Sequence, residues 1–180
     1  MHLTTTRLYI RPVTSSDKEA LFSYRSDLET SQYLSFIPSS EDDMEGFIKK
    51  SARELNISGT WFQVVLIEQT SNTLIGDIGI HFLDDGSHKQ VELGCTLDKE
   101  FRGKGYVAEA LSTIISFLFD HLEKHRIIAS IDPSNVSSIK LFERLGFRKE
   151  AHFRKSLFLH GKWVDDVVYA ILSEEWKGNA

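Results

Sequence analysis

The stretch that most narrows the fold runs from Val91 to Leu122. Val91, Leu93, Cys95 and Leu97 alternate with Glu92, Gly94 and Thr96, the period of a strand with one apolar face. Arg102-Gly103-Lys104-Gly105-Tyr106 then interrupts the pattern. Beyond it Val107, Leu111, Ile114, Ile115, Leu118 and Leu122 recur at helical spacing. A strand therefore passes through a glycine-containing turn into a long, well-buried helix, expected from Gly105 to about Lys124. Such a turn leaves backbone N–H groups unpaired at the helix N-terminus, and Gly103 and Gly105 let a ligand come close to the backbone. Free amides and the helix dipole together favour an anion, and a pyrophosphate is a natural guest. Arg102 and Lys104 add positive charge at the mouth. A glycine turn of this kind also serves as a plain connection, so by itself it does not specify a ligand.

The flanking sequence supplies a meander before this unit and a second crossover after it. Leu8 to Arg11 reads as a strand ending at Pro12. Ser15-Ser16-Asp17 reads as a cap for a helix striped by Ala20, Leu21, Tyr24 and Leu28. Ser39-Ser40 with Glu41-Asp42-Asp43 opens another helix, carrying Met44, Phe47, Ile48 and Leu55. Strands follow at Trp61–Glu68 and around Leu74–Phe82, with turns at Ser71-Asn72 and Asp84-Asp85-Gly86. After the long helix come a strand at Arg126–Ile131, a helix from Asn135 to Leu145 closed by Gly146, and a hairpin. The hairpin strands are Phe147–Leu159 and Lys162–Leu172, turning at His160-Gly161. The order implies an α/β (α+β) chain with a mixed central sheet of about seven strands flanked by about four helices. At 180 residues with no visible linker or repeat, a single domain over 1–180 is expected.

Several functions are disfavoured by composition. The formal net charge of -5 gives no sign of the basic face that a general nucleic-acid binder needs. Cys95 is the lone cysteine, so a disulfide framework and a multi-cysteine metal site are excluded and a reducing compartment fits. No stretch has the ~20 apolar residues of a membrane span, and the default address is the cytoplasm. The phosphate-loop pattern Gly-x-x-x-x-Gly-Lys-Ser/Thr is absent. A dinucleotide fingerprint fails because Ala108 stands at its third glycine position.

The run Arg102-x-x-Gly105-x-Val107 resembles the acetyl-CoA pyrophosphate loop of the GNAT acyltransferases, Gln/Arg-x-x-Gly-x-Gly/Ala, with a bulkier last residue. Thr6-Arg7-Leu8-Tyr9-Ile10-Arg11-Pro12 is similar to the opening strand of the branch that acetylates N-termini of ribosomal proteins (the RimJ/RimL type). Asn135-Val136-Ser137-Ser138 through Leu145-Gly146-Phe147 resembles that branch's Asn-x-x-Ser helix and Leu-Gly-Phe ending. The segment from Gly161 to Trp176 resembles its closing hairpin. The resemblance covers nearly the whole chain in the family's order. It implies an acetyl-CoA-dependent N-acetyltransferase of the GNAT fold that uses no metal and transfers by direct attack of a primary amine on the thioester. The acceptor would be a protein N-terminal α-amine, as on a ribosomal protein, or a small amine.

The resemblance also distributes roles. The strand at Val91–Leu97 would splay from that at Arg126–Ile131, with pantetheine bonded near Cys95, Thr96 and Leu97 and one amide polarising the carbonyl. Arg102, Gly103, Lys104, Gly105, Tyr106 and Val107 would hold the pyrophosphate. Asn135 and Ser138 would contact pantetheine, and Lys140, with Arg144, would meet the nucleotide end. Glu92 points away from the apolar face and matches a frequent GNAT base position; a solvated strand carboxylate is the plain alternative. His81 could share the role. Phe142 occupies the position where many GNAT members place an acidic tyrosine, which excludes that mechanism, so Ser138 is the candidate proton relay to the sulfur. Cys95 sits on the apolar face and reads as packing. His121 and His125 stand at i and i+4 without a third ligand. Asp165-Asp166, just after the hairpin turn, could attract a cationic acceptor, with a solvated turn as the plainer reading. An acyl-CoA-binding module without turnover and a nucleotide-phosphate enzyme remain as alternatives. Relatives often dimerise, but the sequence does not give the oligomeric state.

Overall fold

Each element forms where its local pattern is strongest. In the computed structural model, which describes residues 1–176, the strands are β1 (Leu3–Thr4), β2 (Leu8–Pro12), β3 (Thr60–Glu68), β4 (Thr73–Phe82), β5 (Gln90–Leu97), β6 (Arg126–Ile131), β7 (Arg148–Leu159) and β8 (Lys162–Leu172). The helices are α1 (Lys18–Arg25), α2 (Leu28–Ser31), α3 (Glu41–Lys50), α4 (Tyr106–Asp120) and α5 (Val136–Arg144). The strands make one sheet in the order β1-β2-β3-β4-β5-β6-β8-β7. The β5–β6 pair is parallel and the other pairs are antiparallel. A parallel pair needs a crossover, and α4 provides it.

The sheet is covered on both faces, and β3 shows how. Val64 and Leu66 belong to the cluster built on Leu111, Ile114, Ile115 and Leu118 of α4, joined by Phe142 and Phe147. Their neighbours Val65 and Ile67 belong to the cluster with Leu21, Tyr24, Met44 and Ile48 of α1 and α3. Alternation thus sends successive apolar residues to opposite layers. Capping fixes the helix starts. Ser40 accepts from the Asp43 amide ahead of three first-turn acids, and Lys49 and Lys50 close α3 with the sign its dipole favours.

Among the described residues the sheet holds eight strands, in line with the expected number of about seven, the two-residue β1 being the addition. The described residues form five helices, in line with the expected number of about four, the short α2 being the addition. The first helix stops at Arg25, so Leu28 does not extend its stripe. Asp27 caps a new turn by accepting from Thr30, which leaves Leu28 72% exposed. Ser15-Ser16-Asp17 is itself a 3₁₀ turn, pinned by the Thr14 amide donating to Asp17 at 2.8 Å. Leu55 lies beyond α3 and packs on the main core from a loop. The long helix ends at Asp120, not near Lys124, because Glu123 takes a left-handed φ of 49° and the Lys124 amide turns back to the Leu118 carbonyl.

Candidate active site

Between β5 and α4 the chain makes a 3₁₀ turn at Lys99–Phe101 and then the bend 102–105. Gly103 and Gly105 adopt φ of 75° and 82°, and Gly105 caps α4. That handedness costs a residue with a Cβ roughly 1–2 kcal/mol. The first α4 amide bond runs from Glu109 to the Gly105 carbonyl; the amides of residues 103–108 have no acceptor among the described residues. A row of unpaired N–H groups at a helix start suits the diphosphate of a nucleotide-bearing cofactor. Arg102 is exposed and lies 3.6 Å from Glu29, while the Lys104 ammonium sits 5.2 Å over the Phe101 ring. Tyr106 is half-buried and Val107 is buried against the core.

The sheet divides next to this turn. β5 and β6 pair only at Gln90↔Arg126, Val91↔Ile127 and Glu92↔Ile128. From Leu93 onward β5 stays with β4 as far as Leu97↔Gly76, while β6 follows β8 as far as Ile131↔Val167. Cys95, Thr96 and Leu97 therefore have a strand on one edge only. A cavity of about 700 Å³ opens there, reached by Glu92, Leu93, Gly94, Cys95 and Thr96 on one bank and Ser130 and Asp132 on the other. Its floor lacks side chains where Gly79 pairs with Gly94. Aromatic walls come from Tyr33, Phe36, Phe47 and Trp61. The hairpin adds Leu157, Leu159 and Val164, and its tip is tied down by His160 Nε2 donating to the Leu34 carbonyl at 2.9 Å.

Glu92 reaches this cavity and is part of a row across three strands. Trp61 pairs with His81, and His81 with Glu92. The His81 ring stacks on Trp61 at 4.6 Å, and its Nδ1 lies 3.4 Å from the Glu92 carboxylate. Asp165 and Asp166 also line the cavity from inside β8, which replaces the solvated-turn reading and agrees with the alternative that they face a cationic acceptor. Asp166 is buried and accepts from Ser130 Oγ at 2.7 Å. Asp165 accepts from the Lys155 amide at 3.0 Å and contacts His152, and these bonds hold its carboxyl below the usual range. The cavity thus presents several carboxylates to an incoming cation.

Asn135 and Ser138 do not line the cavity. Asn135 caps α5, accepting from the Ser138 amide at 3.2 Å, and the Ser138 hydroxyl has no partner among the described residues. Lys140 and Arg144 are exposed farther along α5. Phe142 is 2% exposed and meets Phe147 edge-on, so the aromatic ring there is core. Cys95 packs against the core, and desolvation pushes its thiol up to about 12. His121 ends α4 and His125 follows it, so the pair does not share a helix face; among the described residues no cluster of three or more His, Cys, Asp or Glu could hold a metal ion.

One buried cluster was not visible in the sequence. Asp77, fully buried on β4 opposite Thr96, accepts from Tyr24 Oη at 2.6 Å and from Arg25 Nε at 3.0 Å, and from Gln63. Desolvation and the Asp77 charge push the Tyr24 hydroxyl well above its ordinary range. The Asp77 carboxylate outweighs the burial penalty on Arg25 and keeps that guanidinium charged. Arg25 and Gln63 line the cavity wall. Only adjacency across strands joins these residues; a Cβ on Gly79 would lie 3.0 Å from Gln63 Oε1, so that glycine gives the Gln63 side chain its room.

A strand that leaves its parallel neighbour beside an anion-ready helix start is a specific arrangement, and the comparisons agree with it. Residues 7–148 match the family model described as the acetyltransferase (GNAT) domain. The chain belongs to the GNAT acetyltransferases. An N-acetyltransferase of Bacillus subtilis (strain 168), YnaD, is 33% identical over 98% of this chain and 99% of its own. The [ribosomal protein uS5]-alanine N-acetyltransferase of Escherichia coli (strain K12) is 29% identical over 98% of this chain and 93% of its own. A crystal structure of a GNAT acetyltransferase from Bacillus anthracis superposes with a TM-score of 0.87 at 30% identity, covering 97% of this chain and 100% of that one. This GNAT chain is accordingly an acyltransferase that uses acetyl-CoA to N-acetylate a primary amine. No helix of the described residues is long and apolar enough to cross a membrane.

Proposed function

We propose that this chain is a cytoplasmic RimJ/RimL-type enzyme, one catalytic domain over its length, that acetylates protein N-terminal α-amines. The observation that carries this reading is the open, carboxylate-bearing cavity where β5 leaves β6. It is wide enough for the first residues of a peptide, and it is walled by Tyr33, Phe36 and Trp61 and the β7–β8 hairpin. The likeness to a ribosomal-protein-alanine acetyltransferase supports the same acceptor class.

The residues divide the work as follows. The amides of 103–108, with Arg102 and Lys104, hold the diphosphate, and Val107 shapes the turn from beneath. Lys140 meets the nucleotide end. Asn135 and the free edge of β5 at Cys95, Thr96 and Leu97 align pantetheine, and an amide of that edge polarises the carbonyl. Acetyl-CoA supplies the activated acyl group. Glu92 removes the ammonium proton, directly or through a water, and the neutral amine attacks. An α-amine has a reference pKa of ~7.7–8.0, so making it neutral near pH 7 costs about 1–1.4 kcal/mol, against about 4.6 kcal/mol for a lysine amine. The Ser138 hydroxyl, which has no partner among the described residues, donates to the departing sulfur.

The test is thiol release from acetyl-CoA with an N-terminal peptide library beside a panel of small amines. Peptides starting with small residues are expected to turn over best, and E92Q to lower kcat by about 10²-fold or more with CoA binding intact. Turnover confined to polyamines or other small amines would reject the peptide acceptor. An unchanged kcat in E92Q would reject the base.

A further inference from the structure

We infer that Arg7 is a positioning residue for the CoA site, a latch that sets the shape of the diphosphate turn from the far end of the chain. The inference rests on the reading that this turn binds the diphosphate. Arg7 lies just before β2, 102 positions from its partner Glu109 on α4. Its main-chain N–H donates to Glu109 Oε1 at 2.9 Å and its Nε to Oε2 at 2.7 Å. Nη2 lies 2.6 Å from Oε2, and Thr5 Oγ1 adds a bond of 2.5 Å to Oε1. The Glu109 carboxylate is thereby enclosed. Burial alone would raise its pKa, but the bonds from Thr5 and Arg7 prevail and hold it below the usual range.

The rest of the guanidinium acts on the turn itself. Nη1 donates to the Lys104 carbonyl at 2.8 Å, Cζ lies 4.4 Å from the Tyr106 ring centroid, and Nη2 would be 3.5 Å from a Cβ on Gly105. The Lys104 carbonyl is the one that Ala108 would use if the helix began a residue earlier. With Arg7 holding it, the first helical bond is Glu109 to Gly105, and the amides ahead of it stay open. A cation at a helix N-terminus has the wrong sign for the dipole. Glu109 in the first turn offsets that, so the pair contributes geometry to the turn and leaves its amides to the ligand. Arg7 is bonded through every nitrogen to protein groups, which makes it a positioning residue and not a ligand-contacting one.

The experiment compares wild type with R7A, R7K and R11A. Arg11 is a control on the same segment, since it makes a comparable ion pair with Asp17 at 2.6 Å away from the turn. Calorimetry measures CoA affinity, and KM is measured for acetyl-CoA and for S-acetylpantetheine, which lacks the diphosphate. R7A is expected to weaken CoA by about tenfold, with R7K, which keeps charge but not the fork, close behind. KM for S-acetylpantetheine should stay unchanged, and R11A should leave both ligands alone. Hydrogen exchange on the ligand-free protein should be slower at Ala108 in R7A, because the freed Lys104 carbonyl becomes available to its amide. CoA affinity retained in both Arg7 variants, equal losses for both thioesters, or the same loss in R11A would each overturn the latch. Wild type that takes up no CoA would instead overturn the diphosphate reading beneath it.

Discussion

At the scale of single residues, environment decides which groups can do chemistry. Cys95 is the only thiol, it reaches the cavity, and it invites a two-step route through an acetyl-enzyme. Its desolvated sulfur, pushed up to about 12, holds only about one part in 10⁵ as thiolate near pH 7. A nucleophile that scarce cannot compete with a neutral amine already in place. C95A is therefore expected to keep acetyl transfer within a few-fold of wild type and to lose about 1 kcal/mol of stability through lost packing. Intact mass spectrometry after incubation with acetyl-CoA should show no added acetyl on either protein. An adduct on wild type absent from C95A would refute the direct route. The alternation of β5 already assigned Cys95 to the packing face. The cross-strand stack of Trp61 and His81 beside Glu92 was not legible, because it depends on register between strands and not on spacing within one.

At the scale of elements, the turn into α4 is where local sequence and site coincide. The glycines, the strand before them and the apolar helix after them lie within one continuous stretch, so the pattern could be read without knowing any partner. The same holds for Asn135 and α5, and for the hairpin turning at His160-Gly161. Boundaries set by single side chains or by left-handed residues were harder. Asp27 ends one stripe and starts another helix, and Glu123 cuts the long helix short. Gly105 tests the importance of the turn. In G105A a Cβ must occupy φ of 82°, so the variant should lose about 1–2 kcal/mol in urea unfolding. The nearest atom to that Cβ is Arg7 Nη2 at 3.5 Å, so the strain is in the backbone rather than in a clash. If the turn relaxes to a right-handed conformation instead, the stability loss shrinks and calorimetry should show CoA affinity falling further. A variant normal in both measurements would mean that this geometry carries no weight.

At the scale of the whole molecule, contacts between distant segments complete the site, and sequence patterning is silent about them. The cavity takes residues from α1, the segment after α2, α3 and six strands, and the Asp77 cluster joins α1 to β3 and β4. Bonded carboxylates, held by local and by distant partners, govern the response to acid. Bonds from Ser71 and the Thr70 amide hold Glu68 down to about 2, and Lys99 with the Thr30 amide holds Asp27 at about 2. Asp17 is lowered although burial opposes it, because Arg11 and Thr14 bond the carboxylate; Glu109 is lowered for the parallel reason given above. A carboxylate whose folded pKa is depressed binds fewer protons in the native state than in the unfolded one. Its contribution to stability is complete above the unfolded pKa of about 4 and is lost as pH falls toward the folded value. Melting temperature is therefore expected to be nearly flat from neutral pH down to about 5, and to drop steeply between about 4 and 2. Because the Asp17 and Glu109 pairs both anchor the N-terminal segment, D17N should flatten part of that drop while lowering the plateau. A melting temperature that begins to fall well above pH 5, or a D17N curve parallel to wild type, would mean that these carboxylates do not carry the acid response.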